Sequence, residues 1–185
     1  MRGILRDRLY NKHYNKLINS RSESSKKSVN TISSVTILAP AKHHPRGHLT
    51  NSYKYFENLN IACDIYVLQE KNEIAEVDQY ISVIKREECE WYGVPSQEIL
   101  IQWLSNKTDL LILSDPDRLP LMKYLCAASN CKLKSALTHE NLDAHELDID
   151  LWIEAKDTSI ISLAKQCELT YTTLTKLGIR PPVIG

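Results

Sequence analysis

Residues 109–115, DLLILSD, decide the fold class of this chain. Four consecutive apolar residues, Leu110 to Leu113, stand between polar ones, so a strand here would present apolar side chains on both of its faces. Strands buried on both faces are typical of the centre of a parallel sheet that is covered by helices. The stretch therefore predicts an α/β domain.

Short apolar runs alternate with helical patterns on either side of this stretch. The expected strands are SVTILAP (34–40), IACDIYVL (61–68), YISVIKR (80–86), CKLKSALT (131–138) and IDLWIEA (149–155). The expected helices are LTNSYKYFENL (49–59), one capped by Ser96, DRLPLMKYLCAAS (117–129) and a last one capped by Asp157. This alternation predicts a Rossmann-like or flavodoxin-like three-layer domain with a mostly parallel sheet. In such folds ligands bind outside the carboxyl ends of the strands, where the strand order reverses.

The N-terminal segment has a different character. Residues 3–19 place apolar side chains near helical spacing with cations between them, which predicts a basic amphipathic helix. Residues 20–34 hold seven serines, a composition typical of a linker. We therefore predict a basic helix and linker over 1–33 and an α/β domain over 34–185.

A net charge of zero hides a strong asymmetry. Residues 1–48 hold ten Lys and Arg against two acidic residues, a balance of +8, and the other 137 residues carry −8. A cationic segment of this kind can bind RNA or an anionic membrane, or fold back on its own domain. Its aromatic residues are tyrosines and its apolar side is modest, which favours RNA or a ribosomal surface over lipid.

Cysteine usage and hydropathy indicate the compartment. The five cysteines are odd in number and scattered, which favours a reducing environment. The basic N-terminus lacks the apolar region of a signal peptide, and no apolar run approaches the length of a membrane span. We predict a cytoplasmic protein.

The loop after the first expected strand, APAKHHPRGH (39–48), is rich in histidine and cations. It is a candidate site for phosphate or another anion, although a solvated polar loop is the commoner outcome. His44 and His48 have a metal-ligand spacing, but Pro45 and Gly47 argue against a helix there, so we predict no metal. In SDPDR (114–118) we expect Asp117 to cap the next helix and leave Asp115 as the freer carboxylate of the crevice.

No cofactor is predicted. The chain has five glycines and neither GxGxxG nor GxxxxGK[ST], which argues against dinucleotides and P-loop chemistry. A sugar nucleotide or a flavin phosphate, bound without such a fingerprint, stays an alternative. Trp91 and Tyr92, in the loop before the Ser96 helix, could stack a nucleic-acid base or close the core under the loop.

Four segments carry a family resemblance: WYGVPS (91–96), DLLILSD (109–115), LPLMKYLCAASNCKLKSAL (119–137) and IDLWIEA (149–155). Together with the basic N-terminal helix they resemble an uncharacterised domain-of-unknown-function family of Bacteroidota proteins, over roughly residues 75–165. The chain departs from that family in its His-rich first loop and in GIRPPVIG (178–185). The resemblance implies the α/β fold and a bacterial cytoplasmic setting, and no activity. A more distant similarity is to the acceptor half of glycosyltransferases with two Rossmann domains.

These observations favour a non-enzymatic protein associated with RNA or the ribosome, with binding that is independent of sequence and sensitive to salt. The expected nucleic-acid-binding residues are Arg2, Arg6, Arg8, Lys12, Lys16, Lys26, Lys27, Lys42 and Arg46. The five on the basic helix contact phosphates, Lys26 and Lys27 tether the linker, and the histidine-rich loop extends the same surface. One alternative is an enzyme-like domain that binds a small ligand or sugar nucleotide at His43, His44, His48 and Asp115. Another is an adaptor on an anionic membrane surface, and a protein partner also stays open.

Overall fold

The structure is a computed structural model that describes residues 2–21, 29–70, 78–138, 149–154, 162–180 and 182. Short 3-10 helices at Ala41–His43 and Arg86–Glu88 follow the first and third strands. The helices and strands, in chain order, are α1 (Arg2–Arg21), β1 (Ser34–Pro40), α2 (Arg46–Glu57), β2 (Ala62–Gln69), β3 (Ile81–Lys85), α3 (Gln97–Ser105), β4 (Leu110–Leu113), α4 (Pro120–Ala128), β5 (Leu133–Thr138), β6 (Leu151–Glu154) and α5 (Leu163–Lys176).

All six strands form one parallel sheet in the order β3-β2-β1-β4-β5-β6. In the central register Ile37 of β1 pairs with Ile65 of β2 on one side and with Ile112 of β4 on the other. The predicted parallel α/β fold is confirmed. The order is that of doubly wound Rossmann domains, which excludes the flavodoxin-like alternative.

Helices cover both faces of the sheet, and alternate residues of each central strand supply the two cores. On one face Ile37 and Ile112 pack with residues of α2 and α5. On the other face Leu38 and Leu111 pack with residues of α3 and α4. Every residue of β4 is buried, as its uninterrupted apolar sequence predicts.

At the amino end of the sheet, Asp109 joins β1 to β4. Its Oδ2 accepts hydrogen bonds from the backbone N–H of Ser33 (2.8 Å) and from the Ser33 hydroxyl (2.7 Å), and Lys132 pairs with its Oδ1. Burial alone would raise the pKa of Asp109, but the hydrogen bonds from Lys132 and Ser33 outweigh it and lower the pKa to about 2. This carboxylate is therefore charged and structural at neutral pH.

The predicted basic helix exists as α1 and docks on α4 through its tyrosines. The Tyr10 hydroxyl donates to the carbonyl of Pro120 (2.8 Å). The Tyr10 and Tyr14 rings stack with centroids 5.7 Å apart, and both lie within 6.5 Å of the Tyr124 ring. Leu5, which the helical pattern also assigns to the apolar side, is exposed. The apolar contact of α1 is thus narrower than its sequence predicts.

The starts of α2 and α5 differ from expectation. Helix α2 begins at Arg46, so the expectation that Pro45 and Gly47 exclude a helix there is wrong. Pro45 is the N-cap, a position that needs no intrahelical N–H, and glycine in the first turn costs little. The N-cap of α5 is Ser162, which accepts from the backbone N–H of Lys165 (3.3 Å). The expected cap, Asp157, lies outside the described residues.

Lys26 and Lys27 lie outside the described residues, and the predicted division of the chain at residue 34 stays a prediction. Across the part of the chain that the structure describes, no helix combines the length and the apolar character needed to cross a bilayer.

Candidate functional site

The strand order reverses between β1 and β4, the two central neighbours of the sheet. Beyond their carboxyl ends lie the segments 41–45 and 114–119, which contain the centre of the histidine-rich motif and the whole of SDPDR. This is the crevice where doubly wound folds bind ligands. The histidine-rich loop and the SDPDR segment therefore meet at the position that the fold class predicts.

His44 is the buried centre of this crevice. Its side chain is enclosed, with 7% of the residue exposed, and its Nε2 lies 3.1 Å from the Ser114 hydroxyl. Burial, assisted by the neighbouring His43 and His48, lowers the pKa of His44 to about 4, so the ring is neutral at pH 7. Its Nδ1 is buried with no hydrogen-bond partner in the described residues.

Two polar residues of this cluster, Ser114 and Gln166, were missed by sequence reasoning. Ser114 follows β4 directly, and Gln166 reaches over from α5, where its Nε2 donates to the carbonyl of Leu113 (2.8 Å). The Gln166 Oε1 is buried and unpartnered among the described residues. A glutamine beside Leu163 and Cys167 in the apolar stripe of α5 was the available signal, because buried polar side chains need a reason.

The two aspartates of SDPDR have the reverse of their predicted roles. Asp115, expected to be free, accepts the backbone N–H of Leu119, the N-cap residue of α4, on its Oδ2 (2.8 Å). Asp117, expected to cap the helix, points to the histidine-rich loop and pairs there with Lys42 and His43. Helix α4 begins at Pro120, three residues beyond Asp117, and this later start leaves Asp117 off the helix end.

The pKa values of Asp115 and Asp117 are also shifted in opposite directions. Burial raises the pKa of Asp115 to about 7, and the nearby charge of Asp117 adds to the effect. Hydrogen bonds from Lys42 and His43 lower the pKa of Asp117. Adjacent carboxyls with opposite shifts are a common feature of functional sites. The Oδ1 of Asp115 is a further buried atom with no partner in the described residues.

The turn that carries these aspartates is strained at Arg118. This residue has a φ of 53°, which lies in the left-handed region that residues other than Gly, Asn and Asp rarely adopt. Such a conformation costs on the order of 1 kcal/mol or more and clusters at binding and catalytic sites. The strained backbone at Arg118 is therefore a further indication that the crevice is a functional site.

The cations of the histidine-rich loop are already paired. His43 Nε2 lies 2.7 Å from Asp117 Oδ2, and Lys42 binds the same oxygen. Arg46 donates two hydrogen bonds to the Asp78 carboxylate, from Nη2 to Oδ1 (2.6 Å) and from Nε to Oδ2 (3.1 Å). His48 is exposed in the first turn of α2 and is not part of the buried cluster. The structure thus places His43, His44 and Asp115 in the same crevice. The positive charges of Lys42 and Arg46 are paired with the carboxylates of Asp117 and Asp78.

Helix α1 is the second candidate surface. Four of the predicted phosphate-contacting residues lie on it with exposed side chains, and none of the four forms an ion pair within the described residues: Arg6, Arg8, Lys12 and Lys16. The tyrosine contacts with α4 fix the helix and so hold these cations on one rigid element.

The strand order and the polar cluster at its reversal define a Rossmann-like α/β protein. The chain belongs to a family of unknown function, DUF6913, whose match covers residues 6–166. This confirms the resemblance to an uncharacterised family, and the matched region includes most of α1 and the crevice. The chain has no match among curated proteins or among solved structures.

Proposed function

We propose that this chain is a non-enzymatic protein of the bacterial cytoplasm, of the Bacteroidota type it resembles, that binds RNA or the ribosome through α1. The observation that carries the proposal is the set of exposed cations on α1 without an ion-pair partner in the described residues: Arg6, Arg8, Lys12 and Lys16. Exposed cations held on a rigid helix can neutralise phosphates without first breaking an internal pair.

The contrast with the loop cations narrows the proposed footprint. Lys42 and Arg46 would have to leave Asp117 and Asp78 before they could contact a phosphate. Their share of the binding energy is therefore smaller than that of the α1 cations, and their main role in this proposal is to hold the loop in place. Arg2, Lys26 and Lys27 stay in the proposed footprint on sequence grounds.

The test is the salt dependence of RNA binding by purified full-length protein. Four phosphate contacts on a single strand give a slope of log K against log salt of about −3, since each contributes about −0.7. A variant with Arg6, Arg8, Lys12 and Lys16 all changed to Gln is expected to lose most of this slope. In native lysates the wild type is expected to sediment with ribosomes at low salt and to leave them at high salt.

A charge-matched control distinguishes binding by the α1 cations themselves from a general effect of the protein's net charge. The same four-charge reduction can be made at exposed cations elsewhere on the domain: Lys54, Lys107, Lys176 and Arg180. This variant is expected to bind more tightly than the α1 variant. Equal loss in both variants, or affinity that does not change with salt, would contradict the proposal. Substitution is preferable to deletion of α1, because deletion would uncover the Tyr124 surface of α4.

A second candidate function, binding of a small ligand such as a sugar nucleotide, is favoured by the crevice. The specific observation is that His44, Asp115 and Gln166 each leave a buried polar atom unpartnered among the described residues where the strand order reverses. Leaving such an atom unpaired costs about 1–3 kcal/mol, which a ligand that supplies the missing hydrogen bond would recover.

Thermal denaturation with a uridine diphosphate sugar tests this second function. Saturation at 100 times the dissociation constant would add about 2.7 kcal/mol of stability. The rise in Tm should persist in the α1 variant and disappear in His44→Gln, which keeps a neutral polar side chain. If uridine diphosphate alone gives the same rise, the sugar is not recognised and the assignment to sugar nucleotides is wrong.

A further inference from the structure

The loop of residues 91–93 lies directly against α1. The Tyr92 and His13 rings have centroids 5.4 Å apart. Gly93 has φ of 93°, and the space where its side chain would be lies within 4 Å of the Tyr10 ring and the Arg86 guanidinium. A positive φ at glycine lets the loop turn tightly at this point. The loop and the helix therefore form one continuous surface.

Trp91 is the exposed aromatic residue of this surface. Its side chain is 54% exposed, whereas Trp103 is 3% exposed in the core. Tyr92 holds the indole from the side, with ring centroids 5.6 Å apart and planes at 89°. Within the described residues this is the only aromatic ring against Trp91, so no ring is stacked parallel on the indole. Tryptophan is enriched at binding interfaces, and the indole of Trp91 has a face that no other aromatic ring of the described residues covers.

Helix geometry places two cations on the flank of α1 next to this loop. Arg6 is seven residues before His13 and Lys16 is three residues after it, so both project near His13. Because the His13 ring contacts Tyr92, this flank faces the side of the helix on which the loop lies. Arg8, five residues before His13, projects from the far side. Arg6 and Lys16, which form no ion pair within the described residues, thus share the flank of α1 that the loop contacts, and the exposed indole lies beside that contact.

We propose that Trp91 is a stacking platform for an RNA base, and that the RNA bound at α1 is single-stranded. This inference rests on the RNA-binding function proposed above. Unpaired bases have free faces that can stack on an aromatic side chain while cations follow the backbone. In a duplex those faces are covered by neighbouring base pairs. Arg6 and Lys16, ten residues apart on α1, contact phosphates of the strand on either side of the stacked nucleotide.

The test compares two labelled RNAs by fluorescence anisotropy with the full-length protein: a 12-nucleotide single strand of mixed sequence and the 12-base-pair duplex that contains it. The single strand is expected to bind more tightly. Trp91→Ala should weaken its binding about 5- to 150-fold, the range measured for loss of one stacked base, and leave the salt slope unchanged. Trp91→Phe should recover most of the loss because it keeps an aromatic face.

Two matched controls complete the design. Ile101→Ala removes another exposed apolar side chain, on α3, and should leave RNA affinity unchanged. Arg6→Gln should weaken binding to the single strand more than Arg8→Gln does. Since Trp91 is exposed, Trp91→Ala should melt within a degree or two of the wild type, which excludes unfolding as the cause.

The outcomes separate this inference from the function it depends on. If the α1 cations govern RNA binding but Trp91→Ala binds like the wild type, the stacking platform is wrong and the proposed function stands. Equal affinity for the duplex and the single strand would likewise contradict the stacking platform and leave the proposed function standing. If neither RNA binds in a salt-dependent manner, the proposed function itself is wrong.

Discussion

Substituting Asp115 with Asn should stabilise the protein at high pH and have little effect at low pH. The ordinary pKa of an aspartate, 3.8, is raised to about 7 at this position, mainly by burial. Asn keeps a side-chain oxygen that can accept from the backbone N–H of Leu119 and cannot ionise. The change therefore removes the cost of a buried charge and retains the hydrogen bond.

The sign and size of this effect come from proton linkage. Below about pH 4 the carboxyl is protonated in both the folded and the unfolded chain. As the pH rises from 4 to 7 the unfolded chain releases this proton and the folded chain retains it, so the stability contributed by Asp115 falls across this window. A shift of about three pKa units corresponds to at most about 4 kcal/mol. Asp115→Asn should therefore exceed the wild type by up to about 4 kcal/mol at pH 8.

Urea unfolding followed by circular dichroism at pH 5, 6, 7 and 8 measures the difference. Comparing variant with wild type at each pH removes the contribution of other titrating groups such as His44, whose lowered pKa makes stability fall on acidification from about pH 6.5 to 4. Asp117→Asn is the control, because the pKa of Asp117 is lowered by Lys42 and His43 and its loss should not stabilise the protein at pH 8. A difference for Asp115→Asn that is constant with pH would refute this reasoning.

Three further predictions concern the framework around the site. Asp109→Asn should cost about 2 kcal/mol in urea unfolding at pH 7, because it breaks the ion pair with Lys132 and leaves fewer acceptors for the start of β1; an unchanged midpoint would contradict this role. In the same urea unfolding assay, Gly93→Ala should lower the free energy of unfolding by about 1 kcal/mol, because Gly93 has a positive φ. Gly47→Ala, in the open first turn of α2, should raise the free energy of unfolding by about 0.5 kcal/mol. Effects of the same sign would argue against the assigned backbone conformations. Tyr10→Phe removes the hydrogen bond to the carbonyl of Pro120 and should lower Tm by about 2–4 °C; no change in calorimetry would mean that this bond adds nothing to docking of α1.

Local pattern was enough to predict most of the elements. Residues 34–40 form β1 with the predicted bounds, and Ser96 caps α3 as expected. These features depend on alternation of apolar residues and on a short polar side chain before a helix, both of which are local. Strand order depends on contacts between residues far apart in the chain, such as Ile37 and Ile112, which a single sequence does not display.

The candidate site was predictable in position and less so in detail. The fold class places the loop after β1 in the crevice, and His44 and Asp115 lie there. The exchange of roles between Asp115 and Asp117 depends on where α4 begins and on the left-handed turn at Arg118. Pro120 at the first helical position was a local signal for the start of α4, whereas the turn at Arg118 has none. Gln166 joins the crevice from α5, after the last strand, so its contribution depends on tertiary packing.

The central position of β1 has a consequence for synthesis of the chain. About 70 residues separate the end of β1 from the start of β4, its second neighbour in the sheet. At a translation rate of roughly 5–20 residues per second, one edge of β1 stays open for roughly 4–14 s after the strand is made. An apolar edge strand left unpaired for seconds is a template for pairing with other chains. Nascent chains that stall before residue 110 should therefore aggregate or depend on chaperones, rather than accumulate as a stable half-domain.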